Sequence, residues 1–325
     1  MKKKIYSLAI LFILFVIMVL FLFHTGPKLP DGNIRNYFLG KTPHSFLFTF
    51  CDEGLLFKDD VKIQDSFEFQ GLYFNNLKGK EILLADNYYC SVNYYDDSVY
   101  YIDNNFNIRK VDVNTQSSNI VVQENGNSIK DILIIDDIMY YIQDKGSEKF
   151  SLFGYNLSTG KVKEIAEGIS FHYLYDYCGS AGVIIKESNK FAICSYEKGV
   201  EKLFDNLEYE IQGFLPDQSI VYYDDGVYCK KNFDDENSEL LFECDNISRI
   251  IFHSNEIIFS TIDEYGLIEV YLYNFEEKKY SKIANSSYEI RDFNDEYIAC
   301  GSDDGLGSVN LIDRKTGEQI ILSEK

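Results

Sequence analysis

The chain has 325 residues, 46% hydrophobic and 26% charged, with 52 acidic against 31 basic side chains and a formal charge of −21. That apolar content is enough for a real core and excludes wholesale disorder. The acidic excess disfavours nucleic acid and flat docking on an anionic membrane, and it favours cations and basic partners or serves solubility alone.

In chain order, Ile5 to Phe23 is an unbroken run of nineteen residues without a charge. At about 1.5 Å per residue it matches the ~30 Å hydrocarbon core of a bilayer. A cleaved signal peptide has a shorter apolar region followed by small residues. Here the run continues into Phe21, Leu22, Phe23 and His24, no A-x-A pattern follows, and the nearest cysteine is Cys51. An uncleaved anchor is therefore expected. Lys2, Lys3 and Lys4 precede it, so the positive-inside rule leaves residues 1–4 as a cytoplasmic tip and everything after 5–23 outside. That outer part carries 28 basic against 52 acidic side chains, a charge of −24.

Residues 24–44 read as a linker, because Pro27, Pro30 and Pro43 fall here beside Gly26, Gly32 and Gly40. Only one proline follows, as expected for hydrogen-bonded strands.

From residue 45 a period of about forty residues emerges. Turns at Lys78-Gly79-Lys80, Thr159-Gly160-Lys161, Lys198-Gly199 and Thr316-Gly317-Glu318 are separated by 81, 39 and 118 residues between their glycines, or two, one and three units. Degenerate turns at 114–117, 234–237 and 276–279 fill the missing places. The clearest unit has strands at 129–135, 138–142, 150–157 and 162–166, rich in Ile, Val, Tyr and Phe between polar turns. The expected fold is all-β, a seven-bladed β-propeller of four-stranded blades over 45–325, with units 45–86, 87–127, 128–168, 169–206, 207–246, 247–286 and 287–325. Radial closure removes most exposed sheet edges. The last unit ends in its own outer strand, 319–323, so closure need not borrow one from 33–38.

The segments Val99-Tyr-Tyr-Ile-Asp103, Met139-Tyr-Tyr-Ile-Gln-Asp144 and Val221-Tyr-Tyr-Asp-Asp225 resemble second-strand motifs of bacterial membrane-anchored, Tyr-rich propellers. Those are similar in repeat style to the YWTD propellers of lipoprotein receptors. The resemblance covers three units and departs in having no tryptophan and seven units instead of six. It implies fold, not activity.

One constellation recurs in every unit, an acidic residue after the second strand: Asp60 (with Asp59), Asp103, Asp144, Glu187, Asp224 (with Asp225), Asp263 (with Glu264) and Asp303 (with Asp304). In a propeller these turns share one face. They are expected either to ring the channel mouth above Tyr100, Tyr140 and Tyr222 and hold a divalent cation such as Ca2+ or a basic partner, or to act as turn residues that bond their own backbone.

Other chemistry is sparse. His24, His44, His172 and His253 are dispersed and form no H-E-x-x-H, so no metal, cofactor or catalytic residue is assigned. Cys178-Gly-Ser-Ala-Gly182 and the glycine-rich 301–307 read as turns. The seven cysteines lack zinc spacing; several, such as Cys194 and Cys300, sit inside apolar strands and are expected as free core thiols, although an oxidising exterior would permit one pair, Cys229 with Cys244. The expected function is a membrane-anchored extracytoplasmic binding or scaffold module for a protein or cell-wall polymer. The alternative is a hydrolase or lyase acting on an extracellular polymer through carboxylates at the channel mouth. A sensory ectodomain would need a second membrane protein to carry its signal.

Overall fold

The computed structural model describes residues 48–323 apart from 52–53, 64–65, 78–80, 114, 147–148, 170–173, 177–181, 188–189, 205–209, 215–218, 225–226, 232–236, 245, 254–255 and 302–308. The described residues form seven four-stranded antiparallel sheets, each built from four strands consecutive in sequence. The first holds β1 (Phe48–Cys51), β2 (Gly54–Ile63), β3 (Ser66–Asn75) and β4 (Glu81–Ala85), and the second β5 (Tyr88–Tyr95), β6 (Ser98–Asp103), β7 (Ile108–Asp112) and β8 (Ser118–Val122). The third holds β9 (Ile129–Ile135), β10 (Ile138–Asp144), β11 (Phe150–Asn156) and β12 (Val162–Ile169), and the fourth β13 (Leu174–Asp176), β14 (Gly182–Glu187), β15 (Lys190–Ser195) and β16 (Gly199–Phe204). The fifth holds β17 (Glu210–Phe214), β18 (Ile220–Asp224), β19 (Val227–Lys231) and β20 (Glu239–Glu243), and the sixth β21 (Ile247–His253), β22 (Glu256–Ile262), β23 (Ile268–Asn274) and β24 (Lys279–Ser286). The seventh holds β25 (Glu289–Phe293), β26 (Tyr297–Gly301), β27 (Val309–Asp313) and β28 (Gln319–Ser323).

The arrangement is propeller-like. First strands of successive sheets meet, β5 with β9, β9 with β13, β17 with β21 and β21 with β25, and β1 meets β25. The core lies between sheets: Leu56, Leu72 and Phe74 of the first pack on Tyr88, Tyr94 and Val99 of the second. Across the junction of seventh and first, Leu55 and Phe57 pack on Ala299 and Leu311. Burial falls from the inside outwards within a sheet. All six residues of β6 are buried, whereas β8 has Ser118, Asn119 and Ile120 exposed and Val121 and Val122 partly buried. This explains why inner strands read as continuous apolar runs, as sheets covered on both faces do.

Two devices repeat. At the turn between third and fourth strands, a side-chain oxygen closes the loop onto backbone N–H groups two or three residues ahead: Asp112 accepts from Thr115, Asn156 from Thr159, Asn274 from Glu276 and Glu277, and Asp313 from Lys315 and Thr316. Four residues after each stands a left-handed residue, Gln116 (φ 56°), Gly160 (φ 69°), Lys278 (φ 51°) or Gly317 (φ 71°). Glycine recurs here because it alone adopts that backbone without cost; at Gly317 a Cβ would also lie 2.8 Å from the Ile283 carbonyl oxygen.

The second device is a bulge in every fourth strand. An extra residue is inserted opposite the third strand at Leu84, Val121, Ile165, Glu201, Leu241, Ile283 and Leu322 in the seven sheets, and β12 carries a second at Gly168. Six of these are aliphatic and pack into the core between sheets. Glu201 departs from the pattern, turning outward to pair with Lys198.

No helix of the described residues is long and apolar enough to cross a membrane. The expected anchor and linker lie outside the described residues.

Candidate functional site

In five sheets the acidic position (Asp103, Asp144, Glu187, Asp224, Asp263) falls at the end of the second strand or just beyond it, whereas Asp60 lies inside the longer β2, opposite Gln70. Asp103 closes β6. Its Oδ1 accepts the backbone N–H groups of Asn105 and Asn107, each at 2.9 Å, and its Oδ2 accepts Arg109 Nε at 2.6 Å. Asp263 repeats the backbone pattern, accepting from Tyr265 N at 2.9 Å and Leu267 N at 2.7 Å. Asp144 accepts Gly146 N at 2.8 Å and faces Lys130 Nζ at 3.5 Å. Asp60, Glu187 and Asp224 occupy β2, β14 and β18, where the description stops at the backbone, and Asp303 lies outside the described residues. The three carboxylates that can be followed are thus drawn back onto their own turns or a neighbouring lysine. Among the described residues no three acidic, histidine or cysteine side chains come together as metal ligands.

Burial would raise the Asp103 pKa, but Arg109, the Asn107 N–H and side chain, and the Asn105 N–H outweigh it and hold the carboxyl below its usual range. The tyrosines of the second strands belong to the core. Tyr100 and Tyr140 are buried between sheets, and burial pushes each phenol up to about 12. Tyr140 Oη accepts the backbone N–H of Tyr196 in the next sheet at 3.0 Å. Tyr222 is buried as well. Cys229 and Cys244 are thiols and not the disulfide that an oxidising exterior would permit.

Sequence reasoning missed a second set of polar groups on the first strands. Five of these strands carry a bulge near their start, with extra residues Tyr89 and Ser91 in β5, Lys130 in β9, Gln212 in β17, Ser248 in β21 and Arg291 in β25. Antiparallel pairing puts this end of the first strand beside the end of the second, as in Tyr88 opposite Asp103 and Ile129 opposite Gln143. The bulges and the acidic turns therefore share one face.

Directly after two bulges stands an aspartate that staples adjacent sheets. Asp131 accepts Ile132 N at 2.9 Å, Leu174 N of the fourth sheet at 2.8 Å, and Ser91 Oγ of the second. Asp292 accepts Phe293 N at 2.8 Å and Phe50 N of the first sheet at 2.8 Å. Glu289 similarly accepts Ser260 Oγ at 2.9 Å and Ser248 Oγ at 3.2 Å from the sixth sheet. The signal was present in Ile129-Lys-Asp-Ile132 and Ile290-Arg-Asp-Phe293, where a carboxylate interrupts an apolar strand at the same place in two units.

Burial drives the Asp292 carboxyl up to about 7 against the lowering effect of its two N–H partners. Its folded pKa exceeds the unfolded value of about 3.9, so the unfolded chain binds fewer protons between those two values. The contribution of Asp292 to stability is therefore full below pH ~4 and declines as pH rises to about 7. Asp292→Asn is expected to gain stability relative to wild type at pH 8 compared with pH 5, read from urea midpoints. Parallel pH dependences of the two proteins would contradict this assignment.

No known protein family matches the sequence, and no curated protein matches it. Solved structures do resemble it in fold. Oligogalacturonate lyase from Vibrio parahaemolyticus superposes with a TM-score of 0.59 at 14% identity, covering 87% of this chain and 93% of that one. A Mycobacterium tuberculosis puromycin-hydrolyzing peptidase superposes with a TM-score of 0.65 at 10% identity, covering 91% of this chain and 56% of that one. Pyrococcus horikoshii acylaminoacyl peptidase gives 0.61 at 12% identity, covering 90% and 53%. The chain spans about half the length of these peptidases. At such identities the likeness shows the fold alone.

Proposed function

We propose that the chain is an extracytoplasmic binding or scaffold module, a closed seven-bladed propeller held to the membrane by residues 5–23 with its body outside. The observation that carries this reading is the use made of the acidic turns. Asp103 and Asp263 spend their carboxylates on turn backbone, and the side chains they hold up are those between, including Tyr265 at 85% exposure. This is the geometry of rigid display. The −24 charge of residues 24–325 favours a basic partner.

The test uses the full-length protein. It should resist carbonate extraction from membranes, its body should be cleaved by protease added outside intact cells, and crosslinking should recover one reproducible partner. Release by carbonate, or protection of the body, would overturn the anchored orientation, and no reproducible partner would count against a scaffold. A second reading, a polymer-acting lyase, is prompted by the likeness to oligogalacturonate lyase over 93% of that chain. Incubation with oligogalacturonate, followed by the ultraviolet absorbance of an unsaturated product, decides it.

A further inference from the structure

On the shared face, the second and third sheets build a surface group that the display reading leaves unassigned. Tyr89 is the first extra residue of the β5 bulge and is 47% exposed, while Tyr88 and every residue from Cys90 to Tyr94 are buried. The bulge therefore turns one aromatic side chain outward from an otherwise buried inner strand, the re-aiming for which bulges recur beside binding sites. Its ring meets Phe106 edge-on, with centroids 5.1 Å apart and planes at 76°. Phe106 sits in the turn that Asp103 closes, at φ 60°, a conformation costly for a bulky side chain and one that clusters at functional positions. The bulge in β9 delivers Lys130 to the same place: its Nζ lies 5.6 Å from the Phe106 centroid and 3.5 Å from Asp144 Oδ2. Two bulges and one left-handed aromatic residue thus converge on a half-exposed pair of rings flanked by an ammonium and a carboxylate.

We infer that Tyr89, Phe106, Lys130 and Asp144 form a binding site for an uncharged glycan chain, one pyranose ring stacked on Tyr89 with its hydroxyls bonded by Lys130 and Asp144. This rests on, and gives a ligand class to, the binding-module reading. A pyranose offers an apolar face of C–H groups with hydroxyls around its edge. An exposed aromatic ring with adjacent donor and acceptor complements both. The charge of the ligand follows from electrostatics. Lys130 is already matched by Asp144 at 3.5 Å, leaving no unopposed cation in the group to hold a carboxylate, and a body of charge −24 repels a polyuronate.

The experiment is isothermal titration calorimetry of the full-length protein in a polyoxyethylene detergent, which carries no sugar. The probes are cellohexaose, N-acetylchitohexaose, oligogalacturonate and a lysine-rich peptide. At least one neutral hexaose should bind and oligogalacturonate should not. Tyr89→Ala should weaken that binding by about tenfold, Tyr89→Phe should retain it, and Leu240→Ala, on the exposed outer strand β20, should leave it unchanged. Binding by neither hexaose, preference for oligogalacturonate, or equal binding by Tyr89→Ala would overturn the site. If only the peptide binds, the glycan site falls while the binding-module reading stands; if no probe binds and crosslinking recovers no partner, both fall.

Discussion

Asp103→Ala is expected to destabilise the protein by about 3–5 kcal/mol, the cost of breaking a buried charged pair by removing one partner. The carboxylate is fully buried, whereas the Arg109 side chain is a quarter exposed. Truncation would strand the N–H groups of Asn105 and Asn107, the Asn107 carboxamide and the Arg109 guanidinium, all of which Asp103 satisfies. Asp103→Asn should be intermediate, because one amide oxygen can still accept from the turn but offers no charge to Arg109. Urea unfolding at pH 7 measures both. Because its pKa is lowered, the stabilising contribution of Asp103 is present above the unfolded value of about 3.9 and lost as pH falls below it. This is the opposite sign to Asp292. A loss under about 1 kcal/mol in Asp103→Ala would mean that water replaces the carboxylate without penalty.

Phe259→Ala should cost a similar amount, about 3–5 kcal/mol, through the lost apolar transfer and the cavity left behind. Phe259 is fully buried in β22. Its ring stacks on Phe242 of the fifth sheet at 5.0 Å and on Tyr271 at 5.2 Å, with Tyr280 edge-on at 5.4 Å. Phe242 in turn stacks on Tyr228 at 4.9 Å. The fifth and sixth sheets are thus joined through a continuous stack of rings. A double-mutant cycle with Phe242→Ala should show a coupling of about 0.5–1.5 kcal/mol. Strict additivity would mean the rings contribute area alone, without specific geometry between them.

The legible part of the fold was the part written in composition and period. In the third sheet the expected strands 129–135, 138–142, 150–157 and 162–166 fall on β9 to β12, and the expected outer strand 319–323 is β28. The inner strands follow because a strand covered on two faces must be apolar between polar turns, and the outer ones because short runs rich in Ile and Val after a turn carry strand propensity even when exposed. The acidic turn positions were also legible, since an aspartate after a strand is a strong local signal. Its role was not: whether a carboxylate faces a channel or its own backbone depends on a loop conformation that residue type does not encode, and Asp103 and Asp263 chose the backbone. The bulges were the least legible feature. A bulge is a register event between two strands, and an extra residue such as Lys130 or Tyr89 looks like any other member of its strand until the partner is known. Only the repeated Asp131 and Asp292 betray it.

The outer bulges bear on how this protein behaves in a crowd. Among the described residues a fourth strand is the last of its sheet, with one row of backbone N–H and C=O groups lacking a strand partner, and these strands carry apolar side chains at Leu83, Ile120, Val162, Val200, Leu240, Tyr280 and Ile320. Straight and flat, such margins would template pairing with a neighbouring molecule. Inserting Leu84, Val121, Ile165, Glu201, Leu241, Ile283 or Leu322 bends the strand and drives most of the extra side chains inward. A bulge adds local twist, which opposes extension of the margin into a second chain. In six of the seven sheets the same inserted residue therefore anchors the core and also guards against fibrillar assembly where many copies lie side by side.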